Sequence, residues 1–396
     1  MRHGRADHDT LKQLERVVLG ARAIPPGRVV RWANAGRRRL RTLHRRSAPP
    51  PLQVLEALFA PFDAHVLRAL VELGIPDRLV DEMAIADLAG ALGCDPTKLE
   101  RLLRFAAGRG YVSLDPGGRV GPTGITEALR ADAPAPWRGW VQFATSPWFD
   151  AAWRRLADSL ATGADTAFEF AHGTGFFDYT TTVDPGAGET FDRAMAAGAT
   201  LQAIGLARTL DWRSVATVCD VGGGSGAALD TLQRYRPDVR ATLFDLPEVI
   251  ARCDFADRGD GRQRSVVAGS FFDAVPPGHD RYLLLAVVHD WDDDRAVAVL
   301  ATVARAMGPD GDAVVVETTA SDQPRSDVAA DTDLIMFVLA TGRERTEHQY
   351  RQLFERAHLD VHDARLLPTG ATAFTLRNRP RPPTDPAARA TTPPSP

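Results

Sequence analysis

The sequence predicts an α/β protein with a large Rossmann-like domain, preceded by a smaller, mostly helical unit in winged-helix order. Three observations predict it. Val215 to Val221 is an apolar run with β-branched residues. It leads into Gly222-Gly-Gly-Ser-Gly226 and then an amphipathic stretch from Ala227 to Tyr235, which is strand, glycine turn, helix. From about Val215 to Asn378 strand-like and helical runs alternate. Upstream, Ile85 to Leu92, the turn Gly93-Cys-Asp-Pro96, Lys98 to Ala107, and the pair Tyr111 to Leu114 and Arg119-Val120 around Gly117-Gly118 read as helix, turn, helix, hairpin.

A chain of 396 residues suits two or three domains, and 44% hydrophobic with 25% charged residues is ordinary globular usage. With 28 Pro and 33 Gly the chain is neither collagen-like nor wholly disordered. A net charge of -4 gives no global case for nucleic acid or an anionic membrane. Cys94, Cys219 and Cys253 form no C-x-x-C pair, which argues against a disulfide framework or structural zinc and suits a reducing, cytoplasmic setting. No run approaches the roughly 18 apolar residues of a spanning helix, and charges stand where a signal peptide would be apolar, so no membrane association or export is expected.

In chain order, residues 1–48 are a basic arm with 13 basic and 3 acidic residues, +10, against 34 basic and 48 acidic in the remainder, -14. The arm includes Arg37-Arg38-Arg39-Leu40-Arg41, ends at Pro49-Pro50-Pro51, and is expected to be flexible. Residues 49–135 hold the winged-helix order, which opens with one or two amphipathic helices between Leu52 and Ile75. Such a module can place Lys98, Arg101 and Arg104 in a DNA groove, but a large second domain follows and the same fold also serves for packing. Residues 136–212 read as a helical linker dense in aromatic rings, able to wall a pocket for a flat ligand. Residues 213–378 are the α/β domain. The seven prolines of 379–396, with no large apolar residue, read as a disordered tail.

The glycine turn needs glycines because a Cβ would hold the backbone away from a ligand lying across the strand ends. Gly222, Gly224 and Ala227 also satisfy G-x-G-x-x-A, so the turn alone does not choose between cofactors. Asp245 closes the next strand at the spacing of a ribose-binding acid, a feature that NAD and S-adenosylmethionine share. Asp220 separates them: an acid beside the loop repels a pyrophosphate and favours a sulfonium and an ammonium.

With D-V-G-G-G-S-G at 220–226, F-D-L-P at 244–247, Val288-His-Asp-Trp-Asp-Asp-Asp-Arg-Ala296, Val316-Glu-Thr and Gly342-Arg-Glu-Arg-Thr346, the sequence resembles the class I S-adenosylmethionine-dependent O-methyltransferases of small molecules, the caffeic acid type and its bacterial polyketide relatives. The likeness covers about 52–378. It implies a seven-stranded, Rossmann-like methyltransferase domain whose last strand, Ala371 to Leu376, is antiparallel, and a winged-helix dimerisation domain, hence a homodimer without DNA. It implies S-adenosyl-L-methionine as cofactor, held by Asp220, Gly222, Gly224, Gly226, Asp245, Leu246, Gly269, Ser270 and Phe271.

The resemblance places a general base at His289, at the end of the strand-like run Tyr282 to Val288, with Glu317 and Glu344 as flanking carboxylates and Asp290 as a secondary candidate. The chemistry agrees, because a phenol of pKa near 10 needs a base of pKa near 7, held in one tautomer by a neighbouring acceptor. Phe191, Met195, Met336 and Phe337 take the positions that hold a small aromatic acceptor. No metal is expected, since no spaced second histidine or cysteine accompanies His289. Gly269-Ser270 departs from the Gly-Asp of many relatives, which weakens an expected contact to adenine. Some relatives have exchanged methyl transfer for decarboxylation or hydroxylation, and the set His289, Glu317, Glu344 argues against that exchange. A DNA-binding regulator and an NAD-dependent oxidoreductase are the remaining rivals.

Overall fold

A computed structural model describes residues 27–163, 165–256, 260–324 and 327–380. The first 26 residues of the arm and the tail beyond Pro380 lie outside the described residues.

Gly27–Ser47 forms helix α1, so the described part of the segment expected to be flexible is helical. Its arginines, alanines and leucines are strong helix formers and no proline interrupts them. The following prolines do separate two helices: α1 ends at Ser47, and Pro49, extended at ψ 153°, caps helix α2 (Pro50–Glu72), whose first turn tolerates residues without an N–H.

Next come helix α3 (Ile85–Leu92) and helix α4 (Pro96–Gly108), the latter capped by Asp95, whose side chain accepts from Lys98 N at 2.9 Å. Strands β1 (Met83–Ala84), β2 (Ser113–Leu114) and β3 (Arg119–Gly121) form a small antiparallel sheet in the order β1-β3-β2. The helix, turn, helix, hairpin order is therefore present, closed around Leu70, Ile75, Leu79, Leu88, Leu99, Leu103 and Val120.

Helices α5 (Arg138–Ala144), α6 (Pro147–Arg154), α7 (Ala167–His172) and α8 (Pro185–Thr209) bridge the two units. Helix α5 presses on α8 at Gly139, where a Cβ would stand 2.7 Å from the Arg193 carbonyl. Phe143, Phe149, Phe168 and Phe176 fill this layer in tilted and edge-on contacts.

The large sheet has seven strands: β4 (Thr217–Val221), β5 (Arg240–Asp245), β6 (Arg264–Ala268), β7 (Arg281–Leu285), β8 (Asp312–Glu317), β9 (Leu359–Leu366) and β10 (Thr372–Asn378). Their order is β6-β5-β4-β7-β8-β10-β9. The first five lie parallel and β10 runs antiparallel to both neighbours. Alternate residues of β8 face opposite layers: Val314 and Val316 pack with Leu229 and Leu232 of helix α9 (Ala227–Tyr235), while Ala313 and Val315 pack with helices α10 (Asp293–Ala306) and α12 (Glu347–Arg356). Strand β7 ends at Leu285, three residues earlier than the apolar run predicts. Ala286 takes φ 54° and Val288–Asp290 turns as a short 3-10 helix, which swings His289 off the sheet. The carboxyl ends of β4 and its neighbours β5 and β7 meet where the strand order reverses, the crevice that ligands use in such sheets.

Candidate active site

A continuous cleft of about 1290 Å³ runs from these strand ends to the aromatic layer, and its walls include Asp220, Asp245, His289, Phe191 and Met336. A single drug-sized ligand fills roughly 300–1,000 Å³. This cleft therefore has room for two ligands side by side.

At the donor end, Gly222, Gly224 and Gly226 adopt φ of 72°, 58° and 77°. The loop is stretched tightly over Asp220, because a Cβ on Gly223 would stand 2.7 Å from Asp220 Oδ2. Asp220 is 1% exposed, and its Oδ2 has no hydrogen-bond partner. Burial, then the neighbouring Asp245, pushes its carboxyl up to about 7. Asp245 accepts from Gly224 N at 2.8 Å and from Leu246 N at 2.7 Å, and burial raises its pKa as well. A buried acid with an orphaned oxygen beside a half-buried one fits a cationic ligand and disfavours a pyrophosphate.

Leu246, Ser270 and Phe271 line the cleft with Gly222 and Gly224. Gly226 and Gly269, expected to touch the cofactor, do not line it. They are backed by rings: a Cβ on Gly226 would stand 2.6 Å from Phe255, and one on Gly269 2.9 Å from Phe244. Ser270 Oγ accepts from Phe272 N at 3.2 Å, so the side chain that replaces an acid serves its own turn. Sequence reading missed Arg252, which lines the same wall and pairs with Asp192 at 3.0 Å. Asp192 adjoins Phe191, but no local pattern marks the arginine 60 residues away.

Across the cleft, His289 Nδ1 lies 3.0 Å from Glu344 Oε1 and 3.7 Å from Glu317 Oε2, and its Nε2 lies 3.5 Å from Asp290 Oδ1. Both glutamate side chains are fully buried. Glu317 Oε1 accepts from Val288 N at 2.8 Å and Val287 N at 3.3 Å, so this carboxylate also holds the backbone turn that presents the ring. Glu317 does not line the cleft, whereas His289, Asp290 and Glu344 do.

Burial alone would push His289 down, but the carboxylates of Glu317, Asp290 and Glu344 outweigh it and hold the imidazole up to about 10. In the site without ligands the three acids around the ring thus favour its protonated form, against the base near 7 that the sequence leads one to expect. Burial in turn raises Glu317 to about 7 and Asp290 to about 6. His289, Glu317 and Glu344 offer ligand atoms within 4.8 Å of one another, close enough for a cation, and Nδ1 lies within hydrogen-bond distance of Glu344 Oε1.

Two residues of the Gly342 to Thr346 motif fasten this cluster. Arg345, 0% exposed, donates to Asp293 Oδ1 at 2.8 and 2.9 Å and to the Trp291 carbonyl at 2.7 Å, and so clamps both sides of the turn behind His289. Gly342 has no room for a side chain, since a Cβ would overlap the His289 carbonyl oxygen.

Of the residues expected to hold an acceptor, Phe191 and Met195 line the cleft from one face of α8 and Met336 from helix α11 (Val328–Leu339). Phe337 does not belong to it. The face of α11 toward the cleft is Thr332, Ile335, Met336 and Leu339. Phe337, one residue past Met336, is turned outward and 44% exposed. Phe177 and Trp291, stacked at 5.3 Å, complete the wall.

Comparison with known proteins gives this geometry a family. Residues 153–359 match the O-methyltransferase domain and residues 55–128 the O-methyltransferase dimerisation domain. The chain is 34% identical over 325 residues to a mitomycin biosynthesis 6-O-methyltransferase of Streptomyces lavendulae, covering 80% of this chain and 91% of that protein. It is 35% identical to a 2,7-dihydroxy-5-methyl-1-naphthoate 7-O-methyltransferase of Streptomyces carzinostaticus, covering 76% and 94% respectively. Its fold superposes with a TM-score of 0.62, at 33% identity over 82% of this chain and 98% of the other, on an O-methyltransferase from neocarzinostatin biosynthesis in complex with S-adenosyl-L-homocysteine and 1,4-dihydroxy-2-naphthoic acid. The two acids at the glycine loop fit S-adenosylmethionine, the methyl donor of these enzymes. The chain belongs to the S-adenosylmethionine-dependent O-methyltransferases that carry their own N-terminal dimerisation domain.

Proposed function

We propose that the protein methylates a phenolic hydroxyl of a small aromatic secondary metabolite, with His289 as the general base. The observation that carries this reading is the position of His289: it lines the same cleft as the acid-flanked glycine loop and the aromatic wall, with its Nδ1 on Glu344.

The bound donor supplies a methyl carbon made electrophilic by its sulfonium. Asp220 and Asp245 hold the cationic and ribose portions, and Phe271 offers a face to the adenine. Phe191, Met195 and Met336 align the acceptor ring and keep water from the reacting oxygen, so that proximity supplies much of the acceleration. The positive charge of a bound donor would oppose the imidazolium and favour release of its Nε2 proton to solvent before the acceptor closes the cleft. The neutral ring then takes the phenolic proton at Nε2, and Glu344 and Glu317 stabilise the imidazolium that forms again. General-base assistance of this kind contributes roughly 10² to 10⁴ in rate.

The protein acts in this reading as a cytoplasmic homodimer. Support comes from the dimerisation domain and from the apolar side chains that α1 and α2 turn outward, among them Trp32, Leu43, Leu58 and Phe62. Among the described residues no helix is long and apolar enough to cross a membrane. Incubation with methyl-labelled S-adenosylmethionine and a panel of phenols tests the function. Label in a phenolic ether is expected, and its absence across the panel together with transfer to another atom class would overturn the reading.

A further inference from the structure

Helix α1 carries the basic cluster of the arm, and the function above gives that basic face no task. It lies along β9, and Val30, Arg31, Asn34, Arg37, Arg38 and Arg41, spaced at three to four residues, all line the cleft that holds His289. The helix therefore sets four arginines along the cleft, Arg38 half-buried and the other three exposed, and leaves Trp32, Leu40 and Leu43 on the outer side, 80%, 68% and 66% exposed. An amphipathic helix packed within one chain normally does the reverse; here the apolar face is the one offered to a partner copy, and the basic face lies on the chain's own cleft.

The acids that share this stretch of the cleft do not explain the inversion. Asp363 is engaged by Arg365 at 2.6 Å, and Glu347 by Arg351 at 2.8 Å. Among the described residues no ion pair or hydrogen bond engages the guanidinium groups of Arg31, Arg37, Arg38 and Arg41. Four such groups on one wall of a cleft form a strongly positive surface whose natural complement is a carboxylate, which a guanidinium can grip with two parallel bonds. The walls of the cleft thus include an acidic part at Asp220 and Asp245, an aromatic part, and a basic part on α1.

Resting on the O-methyltransferase reading, we propose that the acceptor is a polycyclic aromatic acid whose carboxylate is drawn to the arginine row Arg31, Arg37, Arg38 and Arg41 and gripped by a neighbouring pair of it, while its hydroxyl faces His289. Helix α1 is then the specificity element of the enzyme, and the arm acts on the substrate.

The test is calorimetric binding, in the presence of S-adenosyl-L-homocysteine, of the dihydroxyanthraquinone carboxylate rhein and of its methyl ester, which keeps the rings and the hydroxyls but not the charge. The full-length protein is compared with the variant Arg31→Gln/Arg37→Gln/Arg38→Gln/Arg41→Gln and with Arg39→Gln/Arg46→Gln, which removes charge off the lining face. Wild type is expected to prefer the acid by roughly tenfold or more, less so as salt rises. The quadruple variant is expected to lose that preference, the double variant to keep it, and both to bind S-adenosyl-L-homocysteine as wild type does. Ester binding without preference for the acid overturns the proposal and leaves the aromatic site standing. A preference that survives the quadruple substitution, or falls equally in the double variant, removes α1 as its source. Failure of both compounds to bind overturns the proposal together with the aromatic reading beneath it.

Discussion

Nδ1 of His289 is hydrogen-bonded at 3.0 Å to Oε1 of Glu344, a residue 55 positions later in the chain. The bond assigns the Nδ1 proton to the carboxylate side and leaves Nε2 to face the cleft. His289→Ala is expected to lower turnover on a phenolic acceptor by about 10² to 10⁴ while donor affinity stays close to wild type. Steady-state kinetics with donor titration checks this, and wild-type-like turnover in the variant would remove the ring from the reaction.

Glu344→Gln keeps the shape and deletes one of the charges that raise His289. The sign follows from what each charge stabilises: with one carboxylate fewer the imidazolium is less favoured, and the pKa of the ring falls. The acidic limb of the kcat/KM profile should therefore move to lower pH. The plateau rate should also drop, because the conjugate acid formed during transfer is less stabilised. An unmoved limb would mean that the ring titrating in the profile is not in electrical contact with Glu344.

Asp220 supplies a pH dependence of a different kind. Its carboxyl is held up to about 7 by burial and by Asp245, so in the site without donor it is partly protonated at neutral pH. A cationic donor binds the carboxylate form, and affinity must rise with pH until Asp220 is fully ionised. Below about pH 7 each unit of acidity should cost up to about tenfold in donor Kd, with proton release on binding. Asp220→Asn should flatten that slope. Calorimetry in two buffers of different ionisation enthalpy measures both quantities.

What the sequence discloses and what it hides divide along contact distance. The glycine loop and the positions of Asp220 and Asp245 at strand ends are legible because each depends on a short stretch whose local pattern is nearly complete, whereas the seven strands and the antiparallel last one follow only from resemblance and their order is seen only in the structure. The environment of His289 was legible only through resemblance, since Glu317 and Glu344 reach it from other segments and burial decides its charge. Arg345 was quoted within a motif without a role, because its partners Asp293 and Trp291 lie more than fifty positions away. Helix α1 was hidden by its own charge: dense arginine reads as a solvated arm unless the cleft it faces is known.

Arg345 should be among the costliest residues to replace. It is fully buried, and its removal leaves the Trp291 carbonyl unpaired and Asp293, whose side chain is 38% exposed, without its inner partner. Because Asp293 is partly solvated, the loss for Arg345→Met belongs near or below the roughly 3–5 kcal/mol of breaking a fully buried pair. Arg345→Lys cannot reach both partners with one ammonium and should restore little of it. Denaturant unfolding measures the stability. A separate reading comes from kcat, which should fall more than donor affinity, because the clamp holds the His289 turn and not the glycine loop.

Met336 and Phe337 are adjacent on α11 and should behave as opposites. Met336 faces the cleft, and its thioether is expected to pack on the acceptor ring. Met336→Ala should therefore raise acceptor KM several-fold with little change in donor Kd. Phe337 points away from the cleft, so Phe337→Ala should leave acceptor KM unchanged and shift stability by no more than about 0.5 kcal/mol. Reversed effects on KM would mean that α11 is rotated by one residue when the acceptor binds, since a step of about 100° is what exchanges the two side chains.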